Sequence, residues 1–218
     1  MHYLFNAANY DFSDPSSIPS LILQHLGIVG IAMLVSIAIA IPAGLWLARH
    51  ERVYLPIVTL AGVLYSIPGI ALVAVLITVT GLTLKTIIIP LVAYNQLALI
   101  RNTVAGINGI DPALIQVGHA MGMNRRQLIA RVIFPLALPV IVAGIRIATV
   151  TTMGIASLAG FIGQGGLGAL IFINITVRDY DAILAGAILL AVLAIGADLL
   201  LLLVQTALNR GRGALSVS

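Results

Sequence analysis

The sequence predicts an all-α polytopic membrane protein with about five transmembrane helices. Hydrophobic residues make up 61% of the 218 residues and charged residues only 8%, and the mean hydropathy is +1.14. Soluble chains carry roughly a quarter charged residues. Several uncharged runs reach the length of about 20 residues that a bilayer span needs. Because these runs are continuous and do not alternate with a short period, they favour helices over a barrel.

The chain divides into a polar leader at 1–20, a transmembrane domain at 21–208 and a tail at 209–218. The leader lacks the basic region and the cleavage pattern of a signal peptide, so we expect it to stay on the protein as an extracytoplasmic segment. Residues 160–178 are rich in glycine, and either an outer loop or a re-entrant segment fits them. The predicted spans are residues 21–48, 55–79, 86–106, 132–158 and 182–208.

The basic residues between the predicted spans indicate the orientation. One side of the membrane would carry Arg49, Arg52, Arg125, Arg126, Arg131, Arg210 and Arg212. The other side would carry Lys85 and Arg178. By the positive-inside rule the N-terminus is outside, and segment 111–131 and the C-terminus are cytoplasmic. This placement also argues against nucleic-acid binding, although the net charge is +4.

Catalytic and cofactor chemistry has little support in the sequence. The chain has no cysteine, which excludes disulfides and thiolate metal sites, and its four histidines have no metal-ligand spacing. Gly163, Gly165 and Gly168 match G-x-G-x-x-G, but no strand precedes them as a dinucleotide site requires. A turn that lets backbones pack closely is the better interpretation. With no nucleophile–base pair either, we predict a protein that is not an enzyme and has no cofactor of its own.

Segment 111–135 differs from the rest because it carries polar residues at helical spacing between two apolar runs. Asp111 and Pro112 are typical of a helix start. Gly122 stands where a left-handed residue ends a helix, and Asn124 with Gln127 forms a capping-box pattern. An apolar face is predicted at Leu114, Val117, Gly118 and Met121. The pattern predicts a short helix, a glycine break and a second helix, presented to a partner.

Two further features lie inside predicted spans. Arg146 and Asp198 are each roughly 16–20 Å from a cytoplasmic span end, at 1.5 Å per residue. Because intramembrane charges usually find partners, we predict an ion pair between them, with direct contact to a solute as the alternative. The run from Tyr65 through Ser66 and Pro68 to Gly69 predicts a kink in the second span. It fits a static packing kink and a gate or cavity wall equally well.

Segment 111–135 resembles the E-A-A-x₃-G-x₉-I-x-L-P signature of permease subunits of binding-protein-dependent ABC importers. Gly122 matches the signature glycine, Val132 the isoleucine, Phe134 the leucine and Pro135 the proline. The chain departs from the signature at its start, where Gln116, Val117 and Gly118 replace Glu-Ala-Ala. A salt bridge from that acidic position to the ATPase is therefore not expected here.

Further motifs resemble the osmoprotectant branch, whose importers carry glycine betaine, carnitine and choline. These motifs include 101–103 (RNT), 109–114 (GIDPAL), 120–123 (AMGM), 134–139 (FPLALP), 143–146 (AGIR), 161–168 (FIGQGGLG) and 184–187 (LAGA). Together they cover most of the chain from the second predicted span onward.

The resemblance implies an ATP-driven importer in a bacterial plasma membrane, of which this chain is the non-catalytic permease. Expected partners are a cytoplasmic ABC ATPase, a second permease chain (identical or a sibling), an extracytoplasmic solute-binding protein and membrane lipid. Residues 111–122 would be the coupling helix. The residues expected to couple to the ATPase are Gln116, Gly118, His119, Met121, Gly122, Arg125 and Arg126.

Three alternatives remain beside this interpretation. The solute could be another small amino-acid-like molecule. A self-contained channel or carrier would need intramembrane acid chains or an internal repeat, and the sequence displays neither. A membrane scaffold would leave segment 111–135 without a mechanical role. Aromatic residues make up only 6% of the chain, so we expect it to form a poor aromatic cage for a quaternary ammonium group. Solute recognition is therefore expected to reside on the binding protein.

Overall fold

The computed structural model describes residues 2–213, with the backbone alone described at residues 2 and 210–213. In that part of the chain the regular structure is helical throughout. Residues 214–218 of the predicted tail lie outside the described residues, as do the side chains of Arg210 and Arg212. The main helices are α1 (Ile18–Leu47), α2 (Glu51–Ser66), α3 (Gly69–Thr80), α4 (Leu84–Asn108), α5 (Pro112–Ala120), α6 (Phe134–Ile155), α7 (Gly168–Val177) and α8 (Tyr180–Gly213). Shorter helices are His2–Phe5, Ala7–Tyr10, Arg125–Leu128, Ile129–Ile133 and Leu158–Phe161.

Four of the described helical stretches are long and apolar enough to cross a membrane, and a bent pair makes a possible fifth. The stretches are α1, α4, Arg125–Phe161 and Tyr180–Asn209. The fourth span is longer than predicted because a π-turn at Ile129–Ile133 joins the helix Arg125–Leu128 to α6 without a break. The number of spans agrees with the prediction of about five.

The second predicted span is divided more sharply than a kink. Helices α2 and α3 meet at an angle of 92° across residues 67–68. Pro68 cannot donate a backbone hydrogen bond to the preceding turn and disfavours a helical Ile67. Ile67 accordingly has extended dihedral angles, with φ −71° and ψ 129°. The span therefore consists of two helices in different directions.

Helix α4 lies at the centre of the bundle and packs against both α1 and α6. Glycines permit these close approaches, as is common between membrane helices. A Cβ atom on Gly44 would lie 2.6 Å from Thr103 Cβ, and one on Gly144 would lie 2.5 Å from Asn102 Cβ. The three helices therefore pack more closely than they could with larger residues at these positions.

Buried polar side chains link the same three helices. Asn95 of α4 donates through Nδ2 to Ser36 Oγ of α1 at 3.1 Å. Its Oδ1 accepts from Thr152 Oγ1 of α6 at 2.9 Å. Since the amide uses both its donor and its acceptor, Asn95 fixes the rotation of α4 relative to both neighbours.

The glycine-rich segment forms a turn against the first span. Gly163, Gly165 and Gly166 have φ between +72° and +77°, values that favour glycine. The Gly166 amide donates to Gln24 Oε1 at 3.0 Å. This geometry is that of the closely packed turn and not of a dinucleotide site. Helix α7 follows it and, with 10 residues, is about 15 Å long, half a bilayer core.

Candidate functional site: a docking segment and two adjoining cavities

Segment 111–135 has the helix–break–helix form that the sequence predicts. Asp111 Oδ1 accepts from the Ala113 amide at 2.8 Å and caps α5. Gly122, with φ +74°, ends that helix. Asn124 Oδ1 then accepts from the Gln127 amide at 3.0 Å, while Gln127 Oε1 accepts from the Asn124 amide at 2.9 Å. Hydrogen bonds at both helix starts therefore fix the direction of the segment.

The outer face of this segment is apolar and exposed. Val117 is 56% exposed and Met121 is 71% exposed, and Leu114 lies beside them. Five other members of the predicted coupling set are also exposed: Gln116, His119, Gly122, Arg125 and Arg126. Large apolar side chains held in this way at the end of a membrane helix bundle form a surface for a protein partner.

Gly118 does not belong to that surface. It is buried, and a Cβ atom there would lie 2.5 Å from Leu128 Cδ1. Gly118 stays a predicted member of the coupling set, but its burial means that it is not exposed to a partner in this structure. The residue instead lets α5 pack closely on the following helix, so it supports the exposed face from behind.

The break between α2 and α3 is held by a side chain of α4. The Tyr94 hydroxyl donates to the Ile67 carbonyl at 2.9 Å, an acceptor that the broken helix leaves free. Gly69 lies where a Cβ would approach Leu158 Cδ1 to 3.3 Å. Ser66 and Pro68 are exposed, and Ser66 Oγ donates to the Val63 carbonyl at 2.7 Å. The geometry is compatible with a static bend and with a gate.

Arg146 and Asp198 lie together between α6 and α8. Arg146 Nε is 2.9 Å from Asp198 Oδ1, and Arg146 Nη2 is 2.9 Å from Asp198 Oδ2. The remaining nitrogen, Nη1, donates to Gln205 Oε1 at 2.7 Å. Such a two-point arginine–carboxylate contact is strong and directional. It connects the last span to the bundle.

We expect the charge pair to be needed for a stable fold. Replacing Asp198 with Asn, or Arg146 with Gln, leaves one charge without its partner inside a span, which is unfavourable. Each single variant should lower the yield of monodisperse protein in mild detergent several-fold. The double variant should lose little more than the worse single one, because the two side chains act as a unit. Lys85→Gln, an exposed charge change outside the pair, is the control. Independent, additive losses would contradict a structural pair.

One cavity is lined in part by this pair, and a second cavity shares some of its wall. The first, of about 460 Å³, is lined by Arg146, Asp198, Ile147 and Thr151 among others. The other, of about 270 Å³, also includes Ile147 and Thr151 and extends to Tyr65. Ile147 is 54% exposed and Tyr65 is 45% exposed. The two cavities share Ile147 and Thr151, and together they form a concave surface with lining residues from α2, α4, α6 and α8.

Sequence reasoning does not single out two residues of this surface. Tyr94 and Asn95 line the smaller cavity, but no pattern separates them from other residues of their span. Arg101, which also lines it, lies in the family-like motif 101–103, but that motif alone does not indicate a role in a cavity. Tyr94 and Tyr65 are 29 positions apart in the sequence, and only the return of the chain at residues 81–83 brings their rings together. No group of histidines, cysteines or carboxylates that could hold a metal is found among the described residues.

The fold and the site define a membrane protein of several spans, with an exposed segment suited to a protein partner at one end and two cavities between its helices. Residues 40–213 match the family of inner membrane components of binding-protein-dependent transport systems. The chain belongs to this family and is a multi-pass protein of the inner (plasma) membrane.

Curated relatives lie in the osmoprotectant branch. The carnitine transport permease protein OpuCD of Listeria monocytogenes is 37% identical over 187 residues, which cover 85% of this chain and 84% of that protein. The osmoprotectant import permease protein OsmW of Salmonella typhimurium is 35% identical over 214 residues, 96% of each chain. The choline transport system permease protein OpuBD of Bacillus subtilis is 37% identical, over 85% of this chain and 83% of that protein.

A solved structure has the same fold. A chain of the MetNI methionine ABC transporter, in an inward-facing conformation, superposes with a TM-score of 0.76. The matched region covers 86% of this chain and 94% of that one, at 21% sequence identity. The resemblance to permeases of ABC importers, and to their osmoprotectant branch in particular, is therefore confirmed.

Proposed function

We propose that this chain forms the translocation path of an ATP-driven importer for a compatible solute such as glycine betaine, carnitine or choline. The observation that carries the proposal is the similarity to permeases of that branch along nearly the whole chain, 96% in the case of OsmW. The rigid, apolar segment 111–135 supports the mechanical part of the proposal. An external binding protein delivers the solute, and the chain itself catalyses no reaction.

The ATPase docks on segment 111–135 from the cytoplasm. The positive-inside rule supports this orientation, with the leader outside. The exposed side chains of Val117 and Met121 enter a groove of the ATPase, and Arg125 and Arg126 lie beside them. ATP is bound and hydrolysed on the partner, so the permease needs no cofactor. Because caps at both helix starts make the segment rigid, closure of the ATPase moves the attached spans as a body.

A second permease chain completes the path. Ile147 and Tyr65 in the wall of the concave surface are about half exposed, and residues 187–209 of α8 include none that is buried within one chain. A second copy or a sibling covers the concave surface, while lipid covers the remainder. The missing glutamate at Gln116 favours a sibling that carries the stricter signature. The break at Ser66, Pro68 and Gly69 is the gate, since Tyr94 connects it directly to the smaller cavity.

Uptake of labelled solutes tests the proposal. The chain, expressed with the ATPase and binding protein of its own importer in a strain that lacks osmoprotectant uptake, should accumulate labelled glycine betaine, carnitine or choline. A matched strain whose ATPase carries a disabled phosphate-binding lysine is the control. If the cells instead take up an amino acid such as methionine and none of the quaternary ammonium solutes, the chain serves an importer, but the proposed substrate class is wrong.

A further inference from the structure

The smaller cavity combines two aromatic rings with a cation that has no partner among the described residues. Tyr65 and Tyr94 face it with ring centroids 5.8 Å apart and ring planes at 75°. Arg101 and Asn102 form another part of its wall. Its volume of about 270 Å³ is close to the lower end for small-molecule pockets, roughly 300 Å³. The cavity therefore suits a solute of few heavy atoms.

The two tyrosines contribute their rings to the cavity wall. The Tyr94 hydroxyl is engaged with the Ile67 carbonyl at 2.9 Å, so its ring is held in place beside the break. The Tyr65 ring meets it edge to face, and the two rings form two walls at nearly a right angle. Electron-rich ring faces attract quaternary ammonium groups. Two walls give weaker binding than a closed cage, and weak binding suits a site that must release its solute inward.

Arg101 provides the complementary charge. It is exposed, and it makes no hydrogen bond or ion pair with any residue between 2 and 213 that the structure describes. The other arginine of the concave surface, Arg146, is already occupied by Asp198 and Gln205. Guanidinium groups recognise carboxylates in a two-point geometry. A solute carboxylate is the partner that the cavity leaves for Arg101.

The remaining polar wall is fixed by the protein itself. Asn95 spends its amide on Ser36 and Thr152, and Asn102 Nδ2 donates to the Ala98 carbonyl at 2.8 Å. These groups keep the cavity in shape and leave Arg101 as the free charged donor. The cavity wall therefore presents an aromatic corner, formed by the two tyrosine rings, in one part and a cationic guanidinium group in another.

We propose that this cavity is a low-affinity site for small zwitterions that carry both a quaternary ammonium group and a carboxylate. The ammonium group lies against Tyr65 and Tyr94, and the carboxylate binds Arg101. This proposal rests on the proposed function and adds that the permease selects among the solutes of the importer. Arg101 attracts a zwitterion and disfavours a solute that is only a cation, so the permease itself contributes to specificity.

The ratio of two uptake rates tests the site. Labelled glycine betaine and labelled choline are compared in cells that express the complete importer. Arg101→Gln should lower glycine betaine uptake about tenfold, the size expected for loss of a charge-assisted hydrogen bond, and lower choline uptake much less. Tyr65→Leu should lower both by several-fold, while Tyr65→Phe, which keeps the ring, should transport like the wild type. Arg52→Gln, an exposed arginine outside the cavity, is the charge control.

The outcomes separate the two proposals. If the wild type transports quaternary ammonium solutes and Arg101→Gln leaves the betaine-to-choline ratio unchanged, the site is wrong and the importer stands. If the wild type transports none of them, the proposed function and the site fail together. Where a variant is missing from the membrane, a second measurement tests the site. Saturation-transfer NMR then reports whether the methyl protons of glycine betaine contact purified permease in nanodiscs, with the wild type compared with Tyr65→Phe and Arg101→Lys. Absence of transfer to the wild-type protein would overturn the site.

Discussion

Replacing both Val117 and Met121 with Asp is expected to abolish association of the permease with its ATPase. The two side chains are more than half exposed, so the change should leave the fold of the permease intact. Burial of each in a docking groove would contribute about 1.5–3 kcal/mol. Their loss, with two charges placed against an apolar groove, should weaken the complex at least about 100-fold. The amount of ATPase that copurifies with tagged permease from mild detergent measures this.

Val53→Asp is a matched control for the docking variant. Val53 lies near the start of α2, at the same end of the bundle but outside segment 111–135. It is 37% exposed, and an acid in the first turn of a helix is well tolerated. Copurification should therefore stay at the wild-type level. Full retention of the ATPase by the folded double variant would place the docking surface elsewhere.

Substitution of Gly168 by Ala is expected to prevent the outer part of the chain from folding. A Cβ atom at Gly168 would overlap the Ser157 carbonyl oxygen, and one at Gly160 would overlap the backbone of Gly168 and Ala169. Since the opposing atoms are backbone atoms, no side chain can rotate away. The backbone itself must move, which should cost at least about 3 kcal/mol. The temperature at which detergent-solubilised protein loses its monodisperse peak should fall sharply.

Gly154→Ala provides the comparison for this variant. Gly154 lies inside α6 and a Cβ there would contact nothing within 4 Å. Alanine is favoured over glycine in a helix interior by up to about 1 kcal/mol. This variant should therefore be as stable as the wild type or slightly more so. Equal stability of Gly168→Ala and Gly154→Ala would show that the backbones of Gly168 and Ser157 are farther apart than in this structure.

Local chemistry explains which parts of the fold are predictable from the sequence. The start of α5 at Asp111, the capping box at Asn124 and the left-handed Gly122 depend on residues within four positions of one another. Short sequence patterns therefore predict their geometry. The long spans follow from composition alone, since uncharged runs of this length have few alternatives in a membrane.

Features that depend on residues distant in the sequence could not be predicted. Helical spacing groups Gly118 with Val117 and Met121 on one apolar face, but the return of the chain at Leu128 buries Gly118. The aromatic corner needs Tyr65 and Tyr94 from two different helices. The bend between α2 and α3 reaches 92°, whereas a proline alone predicts a kink and not its size. The π-turn at Ile129–Ile133 has no sequence signal either.

The central claim is that the chain moves its solute only when an attached ATPase works. Proteoliposomes that contain the permease, its ATPase and ATP inside, with the binding protein and labelled glycine betaine outside, test it most directly. We expect accumulation of the solute against its gradient that stops when ATP is omitted or when the Val117→Asp/Met121→Asp permease is used. Uptake at the same rate without ATP, and by that variant, would contradict the importer and identify a channel or carrier.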